Sequence, residues 1–280
     1  MGTGRKGIML AVPFEERRLF KWPKPWLCQP KINGNRCLAV CENDKVTLLS
    51  SQGNRIVSVP HINKELASWK YEGVFDGELW IPGKKLQDIR SIVSRQKGLH
   101  PDYSQIVYSI FDVKVPWTAQ KQRIATLALL VNLATPSVWI VPTFQALSLT
   151  DVHELLDMFL ADGYEGIIVR NRDALYEEKR STNIMKLKPS KTDIYEIIGV
   201  KEEKTIDGIP KGTLGAFICK GDGGIFSVGS GLTEVQRDRY WKQRDELKGK
   251  KLLVKYQELT KDGIPFHPVV LSLVESGNAE

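Results

Sequence analysis

The residue pattern changes character at Lys188-Pro189-Ser190-Lys191, and that change divides the 280-residue chain into two parts that must fold differently. Before it, strand-like and helix-like segments alternate. Val46-Thr47-Leu48-Leu49, Gly73-Val74-Phe75 and residues 106–113 are rich in β-branched and aromatic side chains and read as strands. Residues 151–161 place Val152, Leu155, Leu156 and Phe159 on one helical face, with Thr150 as N-cap and Asp162-Gly163 as the stop. The strand Ile167-Ile168-Val169 follows at once. Such a mixture, with antiparallel strands and no regular βα repeat, predicts an α+β fold.

Pro189 ends the strand before it, and the residues after it look like a linker. Short strands with glycine-rich turns come next, at 195–200, 215–220, 225–229 and 252–259, interrupted by one helix over 234–246 capped by Thr233. Five or so short strands and one helix in about 90 residues fit a small β-barrel of the OB type. The expected domains are therefore 1–189 and 190–280. The Gly221–Gly224 loop is a candidate clamp element by its position.

Hydrophobic residues make up 42% of the chain and charged residues 26%, ordinary proportions for a globular protein. No apolar run approaches the roughly 20 residues that span a bilayer. The polar start of the chain lacks a secretory pattern, and Lys6 stands where a myristoylation signal needs Ser or Thr. Cys28, Cys37, Cys41 and Cys219 form no C-x-x-C pair, which argues against a zinc site or a disulfide framework. A cytoplasmic protein with no membrane association is the expectation. The net charge is +7; residues 191–280 carry 14 basic and 14 acidic residues, so the whole excess lies in residues 1–190. A basic surface there suits a polyanionic substrate.

Five short motifs follow one another along that basic part. Lys31-Ile32-Asn33-Gly34 with Arg36 forms a K-x-x-G element; Asp76-Gly77-Glu78-Leu79 follows; then comes Tyr108-Ser109-Ile110-Phe111-Asp112-Val113. Glu165-Gly166-Ile167-Ile168-Val169-Arg170 and Met185-Lys186-Leu187-Lys188 complete the series. In order and approximate spacing they resemble the ATP-dependent polynucleotide ligases, within the covalent nucleotidyltransferases. The Gly229-Ser230-Gly231-Leu232 segment and residues 256–260 resemble the OB domain of a DNA ligase. The resemblance implies a nucleotidyltransferase (adenylation) domain with antiparallel sheets, followed by an OB-fold barrel joined through a hinge near Pro189.

The resemblance also implies roles. Lys31 would accept AMP from ATP, its pKa lowered by partial burial and by neighbouring cations such as Mg²⁺ (or Mn²⁺), Lys186 and Lys188. Those cations would also stabilise charge building on the α-phosphate. Glu78 would bind ribose or a metal-bound water, and Glu165 would hold the metal. Phe111 would stack on adenine, Gln29 would accept from its amino group, and Ile32 adjoins the nucleotide. Arg36 and Arg180 would contact phosphate, while Asn33, Arg90 and Arg95 are candidate nucleic-acid contacts, with Lys84 and Lys85 nearby.

Departures from the pattern are equally specific. Asn33 stands where DNA ligases carry Asp, which removes a charge beside the 3′-OH of a nick. Ser51 replaces the usual arginine of an S-R-x-G element, with Asn54 and Arg55 as candidate substitutes. Val269-Val270-Leu271-Ser272-Leu273-Val274-Glu275 lacks the basic pair that orients pyrophosphate, leaving Lys261 or His267 to stand in. The favoured reading is a compact, phage- or virus-like, monomeric ATP-dependent DNA ligase acting on nicked duplex DNA without an obligate protein partner. An RNA ligase, or a ligase-derived nick-binding protein with impaired self-adenylylation, remains open at this point.

Overall fold

The computed structural model describes residues 7–256, 259–260 and 262–274. It falls into two compact units, Met1–Lys188 and Pro189–Glu280. Strands of the first unit are β1 (Leu10–Pro13), β2 (Trp26–Lys31), β3 (Asn35–Glu42), β4 (Lys45–Ser50) and β5 (Gly73–Trp80). They continue with β6 (Val107–Val113), β7 (Val138–Ile140), β8 (Phe144–Ala146), β9 (Gly166–Arg170) and β10 (Arg180–Leu187). Its helices are α1 (Glu16–Leu19), α2 (Pro60–Ser68), α3 (Leu86–Val93), α4 (Gln120–Leu129) and α5 (Leu149–Ala161).

These strands build two five-stranded sheets, ordered β1-β10-β9-β2-β8 and β4-β3-β5-β6-β7. Most neighbours are antiparallel, as expected, but β1 runs parallel to β10 and β7 parallel to β6. Each sheet has its own apolar core. Trp26, Cys28, Ile167, Val169 and Met185 pack with Val152, Leu156 and Phe159 of α5. Cys37, Phe75, Leu79, Ile110 and Val113 pack with Ile62 and Leu66 of α2 and Ile89 and Ile92 of α3. Strand residues of odd and even number point to opposite faces, so each strand that buries one row of side chains leaves its alternate row for other work.

Helix α5 begins earlier than its hydrophobic spacing suggests. The N-cap is Ser148, not Thr150: its hydroxyl accepts from Asp151 N at 3.1 Å, and the Asp151 carboxylate accepts from Ser148 N at 3.2 Å. The S-x-x-D box satisfies amide groups that the first helical turn leaves unpaired, and it outweighs a threonine already inside the helix.

The second unit holds one sheet, β13-β12-β11-β14-β15, from β11 (Lys191–Lys204), β12 (Pro210–Gly221), β13 (Gly224–Val228), β14 (Lys251–Tyr256) and β15 (Val269–Val274). Helix α6 (Glu234–Lys242), capped by Thr233, is shorter than expected and passes into a 3₁₀ turn at Arg244–Glu246. The residues following Pro189 are not a linker: Lys191 already pairs with Tyr256 of β14. The expected clamp loop is the tight turn between β12 and β13. After β13, Ser230 bridges to Val269, and Val270 N donates to the Ser230 carbonyl at 2.9 Å. Of the strand expected over 252–259, residues 257 and 258 lie outside the described residues.

Candidate active site

The alternate rows of both sheets in the first unit converge on one slot. From the first sheet come Gln29 and Lys31 of β2, Ile168 and Arg170 of β9, and Ile184 and Lys186 of β10, each pair two residues apart and therefore on one face. Arg36, Glu78 and Phe111 arrive from β3, β5 and β6 of the other sheet, where Arg36 and Glu78 are direct cross-strand partners. The slot encloses about 170 Å³, and Ile32 and Arg180 also line it. Beside it opens a larger cleft of about 540 Å³ that shares Lys31, Arg36, Glu78 and Lys186 and extends to Lys188, Asn54, Arg55 and Arg90.

Two glycines permit this convergence. A side chain at Gly34 would come within 2.4 Å of the Leu79 carbonyl oxygen, so the turn after Lys31 can approach β5 only without one. At Gly166 the backbone has φ +153°, and a Cβ would meet the Leu187 carbonyl at 2.3 Å. That close approach brings Glu165 and Lys188 to the end of β2.

Lys31 ends β2 with its carbonyl accepting from Glu165 N at 2.9 Å, and its ammonium pairs with the Glu165 carboxylate. Lys188 pairs with the other oxygen of the same carboxylate. Burial pulls the Lys31 pKa below the ordinary lysine value; Glu78 opposes that shift and Arg36 adds to it. Glu78 shows the converse: burial raises its carboxyl to about 7, against the attraction of Arg36 and Lys31. The arrangement is a partly buried lysine with a weakened grip on its proton, a carboxylate in contact with it, and further lysines facing the same space.

Residues 8–188 match the ATP dependent DNA ligase domain family, and residues 207–273 match the DNA ligase OB-like domain family. The chain belongs to the ATP-dependent DNA ligases. It is 27% identical to a Haemophilus influenzae DNA ligase over 241 residues, covering 86% of this chain and 83% of that enzyme. It is 28% identical to the African swine fever virus DNA ligase over 267 residues, spanning 61% of the viral enzyme's length. Its fold is that of a solved Lig E DNA ligase, with a TM-score of 0.73 at 21% identity over 96% of this chain and 99% of the other. The Chlorella virus DNA ligase-adenylate gives 0.55 at 24% identity, covering 97% of this chain and 99% of that one.

Behind the slot of this ligase lies a buried charge network. The Arg36 guanidinium clasps Asp76 at 2.5 and 2.6 Å, and Tyr176 donates to the same carboxylate at 2.5 Å. Asp112 receives Arg123 at 2.8 and 3.1 Å and Arg170 at 3.3 Å. The guanidiniums of Arg36 and Arg170 lie 4.5 and 5.5 Å from the Phe111 ring centroid. Arg36 therefore meets the slot as part of a buried ion pair rather than as a phosphate ligand standing alone. Asp76, Asp112, Arg123 and Tyr176 were not singled out from the sequence. Asp76 and Asp112 do stand inside two of the motifs, which is the signal they offer.

Not every sequence candidate reaches these pockets. Asn33 is exposed and lines neither, and Arg95 lies beyond the end of α3 with its guanidinium on the Leu99 carbonyl at 3.4 Å. Lys84 and Lys85 are exposed just before α3 and line neither pocket. Arg180 lines the slot while donating to the Ala11 carbonyl at 2.9 Å. Asn54 and Arg55, the candidate substitutes for the arginine lost at Ser51, both face the larger cleft. In the OB-like unit, Val269–Val274 forms β15, His267 packs its ring 4.1 Å from Phe266, and Lys261 lies outside the described residues.

Proposed function

We propose that this ligase seals nicks in duplex DNA by way of AMP carried on Lys31. The observation that carries the reading is the placement of Lys31 where slot and cleft meet, its ammonium on Glu165. ATP would enter the slot base first, with Phe111 and Gln29 at the purine and its phosphates toward the lysines. The Lys31 nitrogen bonds to the α-phosphorus, the bond between the α-phosphorus and the bridging oxygen breaks, and pyrophosphate leaves. One ammonium proton passes before the attack to Glu165, the carboxylate already in contact with it, and a second, lost as the N–P bond forms, leaves with pyrophosphate. Lys186 and Lys188 offset the charge that builds on the phosphate oxygens. A 5′-phosphate oxygen of the nick, held in the larger cleft by Arg55 and Arg90, then takes AMP from Lys31, which recovers its protons. Attack by the 3′-OH on that phosphate joins the strand and releases AMP.

Glu78, which lines the slot beside Lys31, and Glu165, in contact with the Lys31 ammonium, would hold a Mg²⁺ or Mn²⁺ ion that arrives with the nucleotide, since Mg²⁺ takes one or two carboxylates together with phosphate oxygens. Such an ion would neutralise phosphate charge.

Residues 1–189 would act as the adenylation domain and 190–280 as the OB domain that engages duplex DNA. Every residue assigned to AMP transfer lies between Gln29 and Lys188, so one chain carries the whole set; the ligase would act as a monomer with no obligate protein partner, and its place would be the cytoplasm or host cytoplasm. No helix among the described residues is long and apolar enough to cross a membrane.

Radiolabelled ATP and a nicked duplex test the reading. A labelled protein band that is lost in Lys31→Ala, with sealing of nicked DNA in preference to nicked RNA, is expected. Tight binding to nicks without any labelled band would leave a nick-binding protein instead, the outcome motivated by a β15 that lacks basic residues.

A further inference from the structure

Gln29 meets the slot with nearly all of its hydrogen-bonding capacity already committed. It is 1% exposed yet lines the slot beside Phe111 and Arg170. Its amide nitrogen donates to the Phe111 carbonyl at 3.0 Å and to Thr143 Oγ1 at 2.9 Å, which uses both hydrogens. Its amide oxygen accepts from Arg170 Nε at 2.8 Å. What remains is one lone pair, an acceptor.

A side-chain amide can turn over about its last bond, so its sense depends on whether its neighbours are one-way partners. A backbone carbonyl only accepts and a guanidinium only donates, whereas a threonine hydroxyl does either. Turning Gln29 over would set its oxygen against the Phe111 carbonyl and its nitrogen against Arg170 Nε, like against like on both sides. Thr143 would adapt to either sense. Arg170 is itself anchored, with Nη1 3.3 Å from both Asp112 Oδ2 and Gln120 Oε1.

We propose that Arg170 is the positioning residue for base selection: it locks the Gln29 amide so that the slot presents an acceptor to the purine. An exocyclic amino group, as on adenine, satisfies that acceptor. The exocyclic oxygen of guanine opposes it, in a buried place where two facing acceptors are costly. The inference rests on the proposed assignment of the slot to the base of the nucleotide.

The test is the kcat/KM for labelling of the protein by α-labelled ATP, GTP and purine riboside triphosphate, which lacks the amino group. The wild-type ligase should favour ATP over GTP by on the order of 10³-fold and over purine riboside triphosphate by on the order of tenfold. Arg170→Gln, able to donate or accept, should cut the ATP:GTP ratio by on the order of tenfold, chiefly through KM. Arg170→Lys, still a donor only, should keep most of the ratio, and Thr143→Val should weaken both nucleotides alike. An unchanged ratio in Arg170→Gln overturns the proposal, as does a Thr143→Val ratio that falls equally far. If Arg170→Gln does not fold, equal use of ATP and purine riboside triphosphate by the wild type overturns it without any variant. A wild type that takes label from no triphosphate instead overturns the nucleotide-slot reading beneath it.

Discussion

Lys31 and Glu78 are shifted in opposite directions by the same cause. Burial disfavours the charged form of each, so the lysine loses its proton more readily and the carboxyl, raised to about 7, keeps its own longer. If ionised Glu78 serves the nucleotide and its metal, lysine adenylylation should rise with pH between about 6 and 8. Glu78→Gln should flatten that profile, as pre-steady-state labelling across the range would show. A stability effect accompanies it. Between the ordinary carboxylate range and about pH 7, native Glu78 holds a proton that the unfolded chain has released. Stability therefore falls as pH rises through that window and stays lower above it. The gain in Tm from Glu78→Gln should accordingly be larger at about pH 8 than at about pH 5, a comparison for calorimetry. Lys31, Glu78, Glu165, Lys186 and Lys188 were legible because each stands in a short motif. The contact between Asp76 and Tyr176 was not: Asp76 stands in a motif as well, but the two meet across 100 residues and nothing in the sequence pairs them.

At the scale of elements, hydrophobic spacing located α5 but left its start ambiguous, because Ser148 and Thr150 are both competent caps and only the backbone path distinguishes them. Removal of the cap in Ser148→Ala should cost about 1 kcal/mol, while Thr150→Ala should be nearly neutral. Urea denaturation of the two variants would separate them. Strands β11 and β12 run to 14 and 12 residues, well past the short segments that their β-branched residues suggested. Lysines and glutamates fill their ends, and these are held by pairing: Glu202 faces Leu214 and Lys204 faces Pro210. Cross-strand partners supply what local propensity lacks. The register of β2, β9 and β10 was equally out of reach of single segments, although it is what sets Lys31, Arg170 and Lys186 on one face.

For the whole molecule, the basic surplus lies entirely in residues 1–190, the part that also holds the cleft. Affinity for a nicked duplex should therefore weaken steeply with salt. Arg90 is exposed at the edge of that cleft, and Arg90→Ala should lower the slope of log Kd against log salt by about 1. Fluorescence anisotropy over a salt series would measure it.

The convergence of two sheets on Lys31 also sets when its chemistry can begin. During synthesis the lysine emerges long before the segment from Glu165 to Lys188, which carries β9 and β10 and supplies Glu165, Lys186 and Lys188. Until those strands dock, Lys31 is a hydrated ammonium on an unfinished chain, inert toward nucleotide. The nascent ligase would thus be unable to spend ATP until its first unit is complete, its reactivity switched on when the last strands of that unit close the slot.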